Sequence, residues 1–300
     1  MKKESTPGYY NQLPLFKIVR DLRKRLGSED ACIQTQEVAL RYLEEQGNAS
    51  GIAEFLADLC VNYGISHGSI HFKQIKSKIH VSYIVQTYVI VEAFFKSLNE
   101  QYRYWNQLDD DKWTTQKSGS NLDPFGQLVT NLPAGKKKEL TKLPEYLLIE
   151  YYRLIRNAAT HLDFFEANTA KPDRYFNSTI TPQLEVFKTN YNLEAPNRPG
   201  KINYNDFALY TRALKYYLNV VNDACFPEVR SIVEVAFKDD VLQKKLRNFK
   251  NGRNEKTNSK KARLLKAYFI GNFDHTKKSM YEQFCKEYVE KEEVSRTPNS

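Results

Sequence analysis

The chain is poor in the residues from which metal and disulfide frameworks are built. Its four cysteines, Cys32, Cys60, Cys225 and Cys285, are widely scattered, with no Cys-x-x-Cys pair and no histidine at ligand spacing. That spacing argues against a zinc site and leaves reduced thiols that pack as small apolar groups. His67, His71 and His80 would approach a common metal only if one helix already covered the first two, and Gly68 opposes such a helix. Asp109, Asp110 and Asp111 read as a solvated turn, so neither a metal nor a cofactor is expected. Glycine is scarce as well, and none of it forms a phosphate-cradling loop. No long apolar run is present: residues 81–95 carry Ser82, Gln86, Thr87 and Glu92 and are too short to cross a bilayer. The first residues, Met1 to Pro7, lead into no apolar h-region, so a signal peptide is not expected and a cytoplasmic location is.

What the chain does have is helical patterning and a concentrated positive charge. Hydrophobic residues make up 41% of the 300 positions at a mean hydropathy of −0.63, enough for a substantial core in a water-soluble protein. Apolar residues at helical spacing predict three short N-terminal helices over 15–26, 33–45 and 52–63, with Gly27, Gly47 and Gly64 as C-terminal caps. A long helix follows over about 71–108, apolar on most sides between 79 and 95. Its tail, Tyr102-Arg103-Tyr104-Trp105, offers aromatic rings either to neighbouring helices, the favoured reading, or to a stacked base. Residues 109–144 read as a connection with one short helix, 168–203 as a long proline- and asparagine-rich loop with room for a short hairpin near 179–187, and 206–224 as a helix. Further helices are predicted over 231–249, 260–269 and 279–291. The fold class is therefore all-α, organised as an N-terminal helical unit over 1–68, a bundle over 69–226 and a basic helical region over 227–300.

The net charge of +9 is local. Between Lys244 and Lys278 twelve basic residues face only Glu255 and Asp274, so attraction to a polyanion is centred there. Lys260, Lys261 and Arg263 are the candidate anion-binding residues, and Phe249, Tyr268, Phe269 and Phe273 interleave with the charges. Those rings serve either as stacking surfaces for a nucleic acid or as anchors for the helices, and the charge run reads either as an RNA-binding surface or as a solvated helical face.

The segment with chemical potential is Tyr151-Tyr152-Arg153-Leu154-Ile155-Arg156-Asn157-Ala158-Ala159-Thr160-His161. Leu148, Tyr151, Ile155, Ala158, Leu162 and Phe165 form an apolar stripe at steps of three and four, which predicts a packed helix over about 144–165. Arg153, Asn157 and His161 form a second row at steps of four on another face. An arginine supplies a permanent cation for phosphate and a histidine trades protons near neutral pH, the pair that RNA cleavage needs without a metal. On an ideal helix Arg156 and His161 stand about 140° apart, so the reach of the arginine, a helix distortion or a second subunit must bring them together.

This Arg-Asn-x-x-x-His segment resembles the motif of the HEPN superfamily, whose members carry an Arg-x(4 to 6)-His signature late in a small helical bundle. Val91-Glu92-Ala93-Phe94-Phe95-Lys96-Ser97-Leu98 is similar to the acidic and apolar pattern on the first long helix of that superfamily, and the likeness covers roughly residues 69 to 226. The resemblance implies a HEPN-like core with additional helices at each end and a metal-independent endoribonuclease acting as a homodimer. It also implies a toxin or antiviral-defence setting, in which an inhibitory or activating protein partner restrains the activity. In the chemistry it implies, His161 moves the proton of the RNA 2′-hydroxyl or of the leaving 5′-oxygen, leaving a 2′,3′-cyclic phosphate, and Arg156 holds the scissile phosphate. Asn157 either orients His161 or bridges structurally. Glu92, in an apolar run, is expected to pair with Arg153, Arg156 or His161 and either orients the site or neutralises an arginine. Arg153 either supplements phosphate binding or closes an ion pair. The rival readings are a non-catalytic RNA-binding or regulatory member of the same superfamily and a helical interaction scaffold.

Overall fold

The computed structural model of the chain describes residues 15–47, 51–66, 71–160, 170–249, 255–274 and 278–296. Within them the fold is all-α, as the periodicity predicts, and the strands are two-residue pieces. No helix among the described residues is long and apolar enough to cross a membrane.

In chain order, β1 (Leu15–Phe16) leads into α1 (Lys17–Gly47), α2 (Ile52–Asn62) and α3 (Phe72–Asn106). The hairpin of β2 (Gln116–Lys117) and β3 (Ser120–Asn121) precedes α4 (Pro124–Asn131), α5 (Ala134–Thr141) and α6 (Pro144–Thr160). Then come α7 (Ala170–Tyr175), α8 (Leu184–Tyr191), α9 (Tyr204–Cys225), α10 (Val229–Lys238) and α11 (Asp240–Arg247). The last elements are α12 (Glu255–Asn272), β4 (Phe273–Asp274) and α13 (Lys278–Arg296). The described residues fall into two compact units that interleave along the sequence. One holds Arg23–Val91 and Thr141–Tyr217, and the other holds residues 15–22, Glu92–Leu140 and 218–296.

Several elements depart from the sequence reading, each for a physical reason. Instead of two helices separated at Gly27, α1 is continuous. Its buried stripe of Val19, Leu22, Leu26, Asp30, Ile33, Glu37 and Leu40 runs straight past the glycine. Two of those positions hold carboxylates that the sequence pattern scores as solvent-facing. Lys215 donates to Asp30, while Glu37 accepts from Arg41 at 2.8 Å and lies 3.0 Å from His80 Nε2. Gly47 and Gly64 do mark helix ends. At φ +65°, Gly64 closes α2 while the Ile65 amide donates to the Cys60 carbonyl at 2.8 Å and the Gly64 amide to that of Val61 at 3.1 Å.

The stretch read as a loop over 168–203 is helical from Ala170 to Tyr191, through α7, a π-type turn at Phe176–Ile180, a 3-10 turn at Thr181–Gln183 and α8. Pro172 and Pro182 occupy first turns, where a missing amide hydrogen costs no ladder bond, and Phe176, Ile180 and Phe187 anchor the segment by burial. The connection over 109–144 holds two helices and a hairpin rather than one helix. The hairpin turns at Ser118 and Gly119, which both have positive φ, 51° and 77°. The helix expected over 231–249 is split at Asp239, whose side chain caps α11 by accepting from the Leu242 amide at 2.8 Å.

In the unit containing β1, an aromatic cluster forms the core. Phe16, Trp105, Phe226, Phe269 and Phe273 pack ring to ring, and β1 pairs antiparallel with β4. Asn222, fully buried, accepts from the Phe16 amide at 3.0 Å. Tyr102 and Trp105 are buried while Tyr104 is exposed, so the α3 tail mostly packs, as favoured from sequence.

Candidate functional site

The helix α6 begins as its sequence dictates, with Pro144 opening the first turn and Glu145 beside it. Glu145 does more than complement the helix dipole: it is buried and accepts from the Tyr191 hydroxyl at 2.7 Å. Leu148, Tyr151, Tyr152, Ile155 and Ala158 are buried along one side. At Thr160, the last described residue of α6, the hydroxyl donates back to the carbonyls of Arg156 and Asn157 at 3.1 and 3.2 Å. Residue 161 follows immediately, and the candidate His161 lies outside the described residues, as do Leu162 and Phe165 of the predicted stripe and His67 of the histidine trio.

Arg156 sits half-buried on α6, four residues before Thr160. Its Nη1 donates to Asn157 Oδ1 at 2.9 Å, and the guanidinium carbon stands 5.3 Å from the centroid of the Tyr88 ring. A neighbouring amide and an aromatic face thus restrict a side chain that otherwise carries large rotamer freedom. The position of Asn157 is therefore informative: its oxygen engages Arg156 from the adjacent residue. Arg153 closes a bidentate pair with Glu150, with contacts of 2.7 to 3.2 Å, beside the Tyr175 hydroxyl, whose pKa is pushed up by burial and by Glu150. Of the two alternatives for Arg153, the ion pair is the one formed.

Glu92 lies one turn after Tyr88 on α3 and belongs to the other compact unit. It is half-buried.

The basic residues divide into two sets. Lys261 is tied to α13, paired with Glu292 and 6.0 Å from the Tyr288 ring centroid, and Lys266 covers the Tyr281 ring at 4.5 Å. Lys260 and Arg263 are exposed on the side of α12 that faces α11. There, with Lys245, Asn248, Phe249 and Leu264, they line a groove of about 410 Å³. Of the four interleaved aromatic residues, Phe269 and Phe273 are fully buried and Tyr268 is half-buried, which makes them anchors; Phe249 lines the groove.

No family model, curated protein or solved structure matches the chain.

Two constellations had no readable sequence signal. Asp206, wholly buried, accepts four hydrogen bonds: from the Tyr152 hydroxyl at 3.0 Å, the Asn197 amide at 2.8 Å, Asn197 Nδ2 at 2.9 Å and the Asn203 amide at 2.9 Å. Burial pushes its carboxyl above the usual range, and the donors pull in the opposite direction. Only the local part, Asn203 followed three residues later by Asp206 at the start of α9, is visible as a capping pattern. The second is the buried pair of His80 and Glu37 with Arg41, whose guanidinium stands 5.5 Å from the Tyr204 ring centroid. A separate cleft of about 690 Å³, lined by Glu100, Arg103, Tyr104, Asp109, Lys238 and Asp239 among others, mixes both charge signs and selects no single ligand class. Among the described residues no group of three or more His, Cys, Asp or Glu side chains is placed to hold a metal.

Proposed function

We propose that the chain is a metal-independent endoribonuclease whose reaction is carried by the end of α6. The observation that carries this reading is the placement of Arg156, held by Asn157 and Tyr88 on α6, four residues before Thr160 and five before His161. In the proposed reaction Arg156 binds a non-bridging oxygen of the scissile phosphate and counters the charge that builds on it in the transition state. His161 takes the 2′-hydroxyl proton, the 2′-oxygen attacks phosphorus, and the bond to the 5′-oxygen breaks as that oxygen takes the proton back from the imidazolium, giving a 2′,3′-cyclic phosphate. A second copy of the chain is proposed to complete the site, since Arg156 and His161 diverge by about 140° on one regular helix. The likeness to the HEPN superfamily rests on these residues, and growth arrest on expression is the cellular outcome it leads to.

The test is incubation of wild type, Arg156→Ala and His161→Ala with total cellular RNA in excess EDTA, followed by end analysis. Wild type is expected to leave cyclic phosphate ends, and each variant to cut about 10²- to 10³-fold more slowly, the range for removing one charge-stabilising group. Cleavage that EDTA abolishes, or that survives in His161→Ala, overturns the reading. A second reading, RNA binding without cleavage, is favoured by the basic groove of α11 and α12, and binding without any cutting by wild type would select it.

A further inference from the structure

We propose that the groove between α11 and α12 is a binding site for single-stranded RNA, with the backbone phosphates on Lys245, Lys260 and Arg263 and a base against Phe249. The inference deepens the nuclease reading by assigning substrate capture to a place other than α6.

The sequence shows twelve cations near here, but the structure sorts them. Lys261 and Lys266 are spent on α13 through Glu292, Tyr288 and Tyr281. Among the described residues, Lys245, Lys260 and Arg263 take part in no ion pair, and no carboxylate lines the groove. Lys244 and Arg247, exposed in the last turn of α11, extend the same positive edge. They stand at a helix C-terminus, where cations are favoured, so the local backbone helps to keep them there. The groove itself is apolar, with Phe249 and Leu264 between the cationic residues. Its volume of about 410 Å³ falls in the range of small-molecule clefts and suits one nucleotide unit rather than a whole duplex.

That combination is selective. A cationic rim alone binds any polyanion, whereas a ring set among the cations rewards a partner that alternates phosphates with unstacked flat bases. In a duplex the base faces are already stacked and the contact with Phe249 is lost. An anionic lipid surface would meet the same cations but gain little from a single half-buried ring recessed in a groove.

Binding of a labelled twelve-residue oligouridylate is measured by fluorescence anisotropy, using the full chain carrying His161→Ala so that the probe survives. If the cleavage reading is wrong, that substitution is inert and the binding readout stands. Lys260→Glu with Arg263→Glu is expected to weaken binding at least tenfold. It should also flatten the dependence of log affinity on log salt by about 1.4, the value for two lost contacts to a single strand. The pair Lys117→Glu with Lys188→Glu, which changes net charge equally at exposed sites elsewhere, should leave affinity within twofold. Phe249→Ala, checked for an unchanged helical spectrum, should lose about tenfold on oligouridylate and nothing on inorganic polyphosphate. Equal losses in the two charge-reversal pairs, tighter binding to duplex than to single strand, or preference for phosphatidylserine vesicles over the oligonucleotide would each overturn the proposal. Groove-dependent binding together with RNA left uncut by wild type would instead count against the nuclease reading alone.

Discussion

Asp206 illustrates how little of a side chain's role is visible from its neighbours in sequence. Both of its oxygens are fully subscribed as acceptors, from Tyr152 and Asn197 on one side and from Asn197 and Asn203 on the other. An amide in its place must turn an NH₂ group towards at least one of those donors. Asp206→Asn is therefore expected to lower the melting temperature despite its near-identical shape. Asp206→Ala should cost about 3 kcal/mol or more in denaturant unfolding, because backbone amides are left buried without acceptors. Neither substitution removes a proposed catalytic group, so an effect on RNA cleavage should follow stability. At the same scale, Arg156 and Asn157 were readable because they are adjacent in the chain and their spacing to His161 has a chemical meaning. The Tyr88 ring that helps to hold Arg156 could not be foreseen, since it comes from another helix.

Among the helices, α1 gives the clearest contrast between local preference and tertiary packing. Gly27 reads as a terminator, yet a Cβ built there meets nothing within 4 Å and its backbone stays helical. Gly27→Ala is thus expected to stabilise the protein by about 0.5–1 kcal/mol, seen as a higher midpoint in urea with an unchanged slope. Gly47 is the opposite case: a Cβ would lie 2.2 Å from Ile52 Cδ1 and 2.9 Å from its Cα. Backbone so close cannot move aside cheaply, and Gly47→Ala should lower the same midpoint. The existence of the long helices α3, α6 and α9 was legible because their apolar stripes are long and regular. The helical path of 170–191 was not. Its prolines and asparagines carry loop preference in any local reading, and the burial of Phe176, Ile180 and Phe187 that outweighs it is a tertiary fact. The continuity of α1 was hidden for a related reason, since Asp30 and Glu37 sit in its buried stripe only because Lys215, Arg41 and His80 meet them.

Across the whole molecule the 20 tyrosines are a conspicuous store of ionisable groups. Burial pushes Tyr83 and Tyr102 up to about 12, and Tyr151, Tyr152, Tyr191 and Tyr268 are raised as well. Such a phenol keeps its proton in the folded state at a pH where the unfolded chain has lost it. The folded form then binds more protons, and stability is full below about pH 10 and falls as pH rises towards 12. In an alkaline titration followed at 295 nm, exposed tyrosines should ionise near their ordinary value, and the buried set only together with the loss of helical signal. A single smooth transition near 10 for all of them would contradict the burial described.

The interleaving of the two units has a further consequence for the order in which the chain becomes itself. As translation proceeds, the segments 23–91 and 141–217 can associate while the ribosome is still at work on the rest. Phe16 meets several of its partners late: the side chain that receives its amide hydrogen lies 206 residues on, and its ring neighbour in β4 comes later still. The pairing of β1 is thus completed only once β4 has emerged, and until then a nascent chain carries an open edge there for a chaperone to find.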